Sequence, residues 1–242
     1  PSDLKYTYTG TGRTVFRLPD TSLVTTTGNM FANNSLLLEA PYFDTSNVTN
    51  MRSMFYYCNK LTSVPHYDTS KVTNMNGMFY ECKALTTVPH FDTSNVTNMS
   101  DMFYNCSLLK TIPPFNTSKV TTMNGMLSGC LALESLPALD CGAFTFNNNH
   151  PLQSYGNNYD KLTDVGGFLN MKFSWENTYG LPKCPNLTRE SCINILNGLY
   201  DFAGNGVTPA WNQGKLKVHA NFLSAVGDQI SIATNKGWVV TA

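Results

Sequence analysis

The sequence predicts an α/β solenoid: short parallel strands, stacked coil on coil and joined by short helical or 3₁₀ arcs. Three observations predict it. Cysteine recurs with a fixed period of 24, as Cys58, Cys82, Cys106 and Cys130. Around each lies one phrase, FDTSNVTNMRSMFYYCNKLTSVPH over 43–66, which returns over 67–90, 91–114 and 115–138 without insertion. A degenerate copy precedes them, with Asp20, Met30, Phe31, Leu37 and Pro41 standing one period before Asp44, Met54, Phe55, Leu61 and Pro65. A fixed short period means one coil per repeat, each burying its apolar face against its neighbours. Four regions follow: a lead-in over 1–19, the repeats over 20–140, a connecting loop rich in Asn, Tyr and Gly over 141–161, and a C-terminal cap of longer coils over 162–242.

Within a coil the apolar positions are Val48, Met51, Met54, Phe55, Cys58, Leu61 and Val64. The early steps of 3, 3, 1 and 3 predict a helical or 3₁₀ arc with one buried face. The β-branched stretch from Leu61 to Val64 predicts a parallel strand of about three or four residues. Pro65 and its equivalents Pro41, Pro89, Pro113 and Pro137 cannot donate to a ladder and so end that strand. The Asp-Thr-Ser corner comes next. Stacked carboxylates at Asp44, Asp68 and Asp92 need local donors, which an Asx-turn or a helix N-cap supplies. A calcium ladder is the sharper alternative, and the corner lacks the several acids and glycines per turn that such ladders carry. Asn47, Lys71, Asn95 and Lys119 alternate at one position, a solvated edge that keeps like charges two coils apart. The Asn-Val-Thr triplets at Asn47 and Asn95 follow from the repeat and read as turn and ladder residues. The row Phe43, Tyr67, Phe91 and Phe115 fills a core corner.

The repeat cysteines stand in phase with Phe and Leu, where free Cys acts as a small core residue. Strand spacing of about 5 Å leaves disulfides between adjacent coils sterically open. Cys141, Cys184 and Cys192 have no metal-ligand spacing.

The C-terminal third changes period. Thr188 and Glu190 predict the start of a helix, with Ile193, Leu196, Leu199 and Tyr200 on its buried face and Gly204 and Gly206 as its stop. Residues 215–219 and 238–240 predict strands, 221–235 a second helix stopped by Gly237, and 168–173 an earlier strand. The order β-α-β-α-β continues the solenoid with longer coils and suits an end cap.

Composition narrows function. Charged residues are 13% and the net charge is zero, against about 25% charged in ordinary domains. That argues against an electrostatic nucleic-acid binder, which needs a basic face. No apolar run approaches the roughly 18 residues of a membrane span, so no membrane insertion is expected. The start at Pro1, without a signal peptide, reads as a processed chain or a domain of something larger.

The inventory for chemistry is thin. There is no nucleophile elbow, P-loop, HExxH or dinucleotide fingerprint. His66 and His90 are repeat-equivalent but lack a third ligand, with Tyr42 and Pro114 at the flanking positions. His150 and His219 are isolated. No catalytic residue, metal or cofactor is expected. A carboxylate pair for glycoside hydrolysis stays open, though acids locked into a repeat seldom form a unique pair. The candidate site is aromatic: Tyr56, Tyr80 and Tyr104 follow the core Phe of each coil, so they point away from the core as an exposed row. Such a row suits sugar rings or a partner protein, or else the rings pack on one another or on a neighbouring subunit.

The phrase V-x-x-M-x-x-M-F-x-x-C-x-x-L-T-x-V-P resembles the leucine-rich repeats of BspA-like bacterial surface proteins. It is closer still to the FDTSNVTNMxxMFxxCxxL repeats of the DUF285 group, over about 20–140. The coil is slightly shorter than that group's, between strand and DTS corner. Residues 162–173, 187–201 and 232–238 resemble the end of gut-phage and prophage tail or surface proteins. These resemblances imply a leucine-rich-repeat-like fold and a non-enzymatic binding module on a virion surface, touching a bacterial host. The rivals are a bacterial surface adhesin, a purely structural virion protein and a polysaccharide-degrading enzyme. The implied partners are a host cell-surface glycan or protein, other virion or surface subunits, or further copies of the chain. The implied location is a virion surface, the extracellular space or a bacterial cell surface.

Overall fold

A computed structural model describes residues 20–144, 151–152, 159–171, 184–206 and 215–242. The lead-in over 1–19, His150, and parts of the expected loop 141–161 and strand 168–173 lie outside the described residues.

Each coil lies against the next in parallel register. Single bridges join Thr26 to Asn50, Asn50 to Asn74, Asn74 to Asn98, and Asn98 to Thr122. This ladder falls where the apolar spacing predicts the start of the arc. The strand expected over 61–64 is reduced to one bridge, Glu39 to Ser63, flanked by the Thr62 N–H to Leu38 carbonyl bond of 2.9 Å. Pro65 and its equivalents follow at once and remove the next donor.

The arc is neither α-helix nor 3₁₀-helix. Alternate N–H groups leave the coil: Met51, Ser53, Phe55 and Tyr57 donate to the carbonyls of Asn74, Asn76, Met78 and Tyr80. The groups between turn inward: Met54, Tyr56 and Cys58 donate to the carbonyls of Met51, Ser53 and Phe55. A helix would have claimed every donor for itself, leaving the neighbouring coil unpaired. Two left-handed residues per coil produce the alternation, at Ser53 (φ 54°) and Tyr57 (φ 60°), then Gly77 and Glu81, then Asp101 and Asn105. The apolar spacing of 3, 3, 1, 3 is that of a helix face, yet it arises from successive tight turns.

Between the layers of hydrogen bonds lies one continuous core. Phe31, Phe55, Phe79 and Phe103 stack face on face, with ring centroids 5.4, 5.6 and 5.5 Å apart. Phe43, Tyr67, Phe91 and Phe115 are buried beside them, and the Tyr67 hydroxyl donates to the Pro41 carbonyl at 2.7 Å. The cysteine column is buried. Cys58, Cys82, Cys106 and Cys130 each donate Sγ–H to the Phe carbonyl of the preceding coil, at 3.1–3.2 Å. That carbonyl already accepts an N–H of its own coil, from Asn34 at Phe31 and from Cys58 at Phe55, so a small, weak donor suits the position.

The DTS corner forms Asx-turns. Asp20, Asp44, Asp68 and Asp92 accept the N–H of the serine two positions on, at 2.9–3.0 Å, and Asn116 does the same for Ser118. The serine holds each carboxyl below its ordinary value, chiefly through its hydroxyl at Asp20 and Asp68 and its N–H at Asp44 and Asp92. Thr45, Thr69 and Thr93, buried at the corner, donate to the carbonyls of Asp68, Asp92 and Asn116. On the solvated edge, Lys71 and Lys119 donate to Asn47 and Asn95 at 2.7 and 2.8 Å.

Beyond residue 134 the coils lengthen. Strand β1 (Ser135–Leu136) pairs in parallel with β3 (Asp164–Val165), and β2 (Leu139–Asp140) with β4 (Phe168–Leu169). The register of Ser135 on Asp164 and Leu139 on Phe168 spans more chain than one repeat. Of the expected strand 168–173, β4 and a bridge from Met171 to Leu199 are described. Helix α1 (Arg189–Asn197) starts on Thr188, whose side chain accepts from the Ser191 N–H. It ends at Gly198 rather than at Gly204, because its backbone there meets β4: a Cβ on Gly198 would stand 2.5 Å from the Phe168 carbonyl oxygen. Its buried face is Ser191, Cys192, Ile195 and Leu196, with Ile193 half-buried. Strand β5 (Lys215–Lys217) pairs in parallel with β6 (Val239–Thr241). The second expected helix, 221–235, is broken into α2 (Ala220–Val226), a 3₁₀ turn (Gly227–Gln229) and α3 (Ser231–Asn235). The interruption opens at Gly227, a poor helix residue.

Candidate functional site

The tyrosine row lies just outside the phenylalanine stack. Each ring follows a core Phe, and the register that stacks the Phe rings stacks these too. Tyr56 and Tyr80 lie 4.6 Å apart with an interplanar angle of 23°, and Tyr80 and Tyr104 lie 4.6 Å apart at 5°. The exposed row expected from sequence is half-buried instead. Its rings cover one another's faces, and Tyr57 leans on the first two at 4.7 and 5.7 Å. A ring inserted between two others needs about 3.5 Å on each side, so nothing enters the stack. The row offers ring edges and hydroxyls. Burial, and then the neighbouring Tyr104 and Tyr56, push the Tyr80 hydroxyl up to about 12.

Beside the row is an open hollow of about 330 Å³. Its floor is one column of the repeat: Ser53, Gly77 and Asp101. Tyr56 and Tyr80 form one wall, and Arg52 and Asn76 the other, with Asn29 at one end. All three floor residues are left-handed, at φ 54°, 60° and 55°. Glycine at 77 removes the side chain that would otherwise fill the space; a Cβ there would point toward Ser53 Oγ at 3.4 Å and the Tyr56 ring at 3.9 Å. Sequence reasoning missed this feature. The signal was the small residue at 77 between Ser53 and Asp101, in a column whose other members are Asn29 and Gly125.

The charges of the hollow are not matched to each other. Arg52 is exposed, and its guanidinium has no hydrogen-bond or ion-pair partner among the described residues. Asp101 is half-buried and likewise has no donor to its carboxylate among them. Burial pushes its carboxyl above the ordinary value. Glu81, next after Tyr80, shows the contrast: Lys83 lies 2.9 Å and the Asn105 amide 2.7 Å from its two carboxylate oxygens.

His66 and His90 are exposed on the outer edge, and His219 caps α2, its Nδ1 accepting the Asn221 N–H at 3.1 Å. Among the described residues no three His, Cys, Asp or Glu side chains converge as a metal site. No helix among them is long and apolar enough to cross a membrane.

No curated protein and no solved structure matches the chain. The family described as "Mycoplasma protein of unknown function, DUF285" matches residues 13–88 and again 84–154. Together the two matches span 13–154, more than half of the 242 residues, so the chain belongs to the DUF285 family.

Proposed function

We propose that this chain is a non-enzymatic, surface-displayed binding module, built as a leucine-rich-repeat-like α/β solenoid and carried on a phage virion that contacts a bacterial host surface. One observation carries the reading: a chain of zero net charge places a three-ring tyrosine row and an open polar hollow side by side on one face of its coils. Tyrosine edges with polar tips suit sugar or protein surfaces that must be held without ionic attraction. Membership of the DUF285 family supports surface display, and the phage-like C-terminal phrases favour a virion over a bacterial envelope. A bacterial adhesin would use the same face.

The test is binding by the isolated chain to bacterial cells and to an array of bacterial glycans. The module reading expects binding that falls about tenfold or more when Tyr80 and Tyr104 are replaced by Ala, since each truncation removes a buried-edge contact. A second reading, a structural virion protein, is favoured by the way the rings already satisfy one another's faces. It expects no cell binding and a failure of particle assembly in the same double variant.

A further inference from the structure

We propose that the hollow floored by Gly77 is a subsite for one uncharged sugar ring, held through a pair of neighbouring hydroxyls. This rests on the reading of the chain as a binding module and fixes its ligand class and place. The volume, about 330 Å³, stands at the lower end of small-molecule sites, which run from about 300 Å³. That suits one monosaccharide.

The polar groups select its charge. Asp101 offers a half-buried carboxylate that no side chain or backbone donor meets among the described residues, and so one free to accept from a ligand. Arg52 offers an unpaired set of donors across the floor. An anionic ligand would meet Asp101, and a cationic one would meet Arg52. A polyol satisfies both, because a hydroxyl donates to the carboxylate and accepts from the guanidinium. Of two adjacent hydroxyls, one can donate to the Asp101 carboxylate and the other accept from the Arg52 guanidinium. The edges of Tyr56 and Tyr80 form an apolar wall for the C–H face of the ring. The room for Asp101 is itself built: the next residue of its column is Gly125, where a Cβ would stand 2.5 Å from Asp101 Oδ1.

Gly77→Asn fills the floor without a new backbone shape, since Asn29 holds the same place in the first coil at φ 57°. Asp101→Asn keeps the volume and the left-handed backbone but removes the charge. The full chain is titrated by ligand-observed NMR with the methyl glycosides of mannose, galactose and glucose, and with N-acetylneuraminic acid as the anionic probe. The expected result is saturable binding of at least one neutral glycoside, weakened about tenfold or more in both variants and unchanged in His90→Ala, an exposed side chain on the outer edge, away from the hollow. Binding of N-acetylneuraminic acid alone, binding of no glycoside, or full binding by Gly77→Asn overturns the proposal. If Gly77→Asn keeps full binding to cells or glycan arrays while Tyr104→Ala loses it, the hollow reading fails and the module reading stands. If the wild-type chain binds neither cells nor glycans, both fail.

Discussion

Burial pushes the Cys58 thiol up to about 12 and the Cys192 thiol up to about 11, and it raises the thiols of Cys82 and Cys106 as well. At pH 8 such groups hold almost no thiolate, the form that reacts. Native protein is therefore expected to leave its seven cysteines unlabelled by iodoacetamide over minutes, and denatured protein to label all of them, as intact mass will show. Cys106→Ala removes one buried atom and one weak donor, and is expected to cost about 1 kcal/mol in urea unfolding. Gly77 is a backbone matter: Gly77→Ala places a Cβ in the left-handed region and is expected to cost about 1–2 kcal/mol, with Gly77→Asn costing less. Asp101 carries the opposite sign to the corner aspartates. Its folded carboxyl is raised, so folding favours the protonated form; stability is gained as pH falls through the folded value, and the ionised group is a burden at pH 7. Asp101→Asn is expected to raise the melting temperature at pH 7, with the gain shrinking toward pH 4.

At the scale of the element, the DTS corner was legible and the arc was not. Asp followed by Thr-Ser reads as an Asx-turn from local chemistry alone, because donor and acceptor lie within one tripeptide. The arc depends on a partner one full coil away. Its donors alternate between coil and neighbour, and apolar spacing carries no trace of that choice. Gly77, Asn29 and Asn105 hint at left-handed positions, but Tyr57 and Glu81 hold the same conformation and hide the pattern. The second C-terminal helix misled for a simpler reason: the amphipathic period runs through Gly227, where the chain breaks. The corners also set the response to acid. Their carboxyls are depressed in the fold, so the stability they lend is present above the unfolded value of about 3.9 and is lost as pH falls through the folded values. Asn116 makes the same turn without a titrating group. The triple variant Asp44→Asn, Asp68→Asn, Asp92→Asn is therefore expected to be slightly less stable than wild type at pH 7 and to lose less stability below about pH 4, measured by thermal unfolding followed by circular dichroism.

For the whole molecule, the columns are what link sequence to site. The repeat period, the core role of Cys and the Tyr row could all be read from the sequence, because identical coils in register must align identical residues. The half-burial of the row and the existence of the hollow could not. Both depend on how far a ring leans and on one absent side chain, which spacing does not encode. The tyrosine row and the sugar site alike require adjacent coils to be in register, and one measurement tests that directly. Thr49 and Thr73 are exposed and adjacent in one column, the Thr73 N–H donating to the Thr49 carbonyl at 2.9 Å. Parallel strands in register bring such Cα atoms to about 4.8 Å, inside the disulfide range of about 4.4–6.8 Å. Thr97 stands two coils from Thr49 and so at about twice that distance. On mild oxidation, Thr49→Cys/Thr73→Cys should form an intramolecular bridge in peptide mapping, and Thr49→Cys/Thr97→Cys should not. Equal bridging of the two pairs, or bridging of the distant pair alone, would contradict the stacked register and remove the basis for both sites.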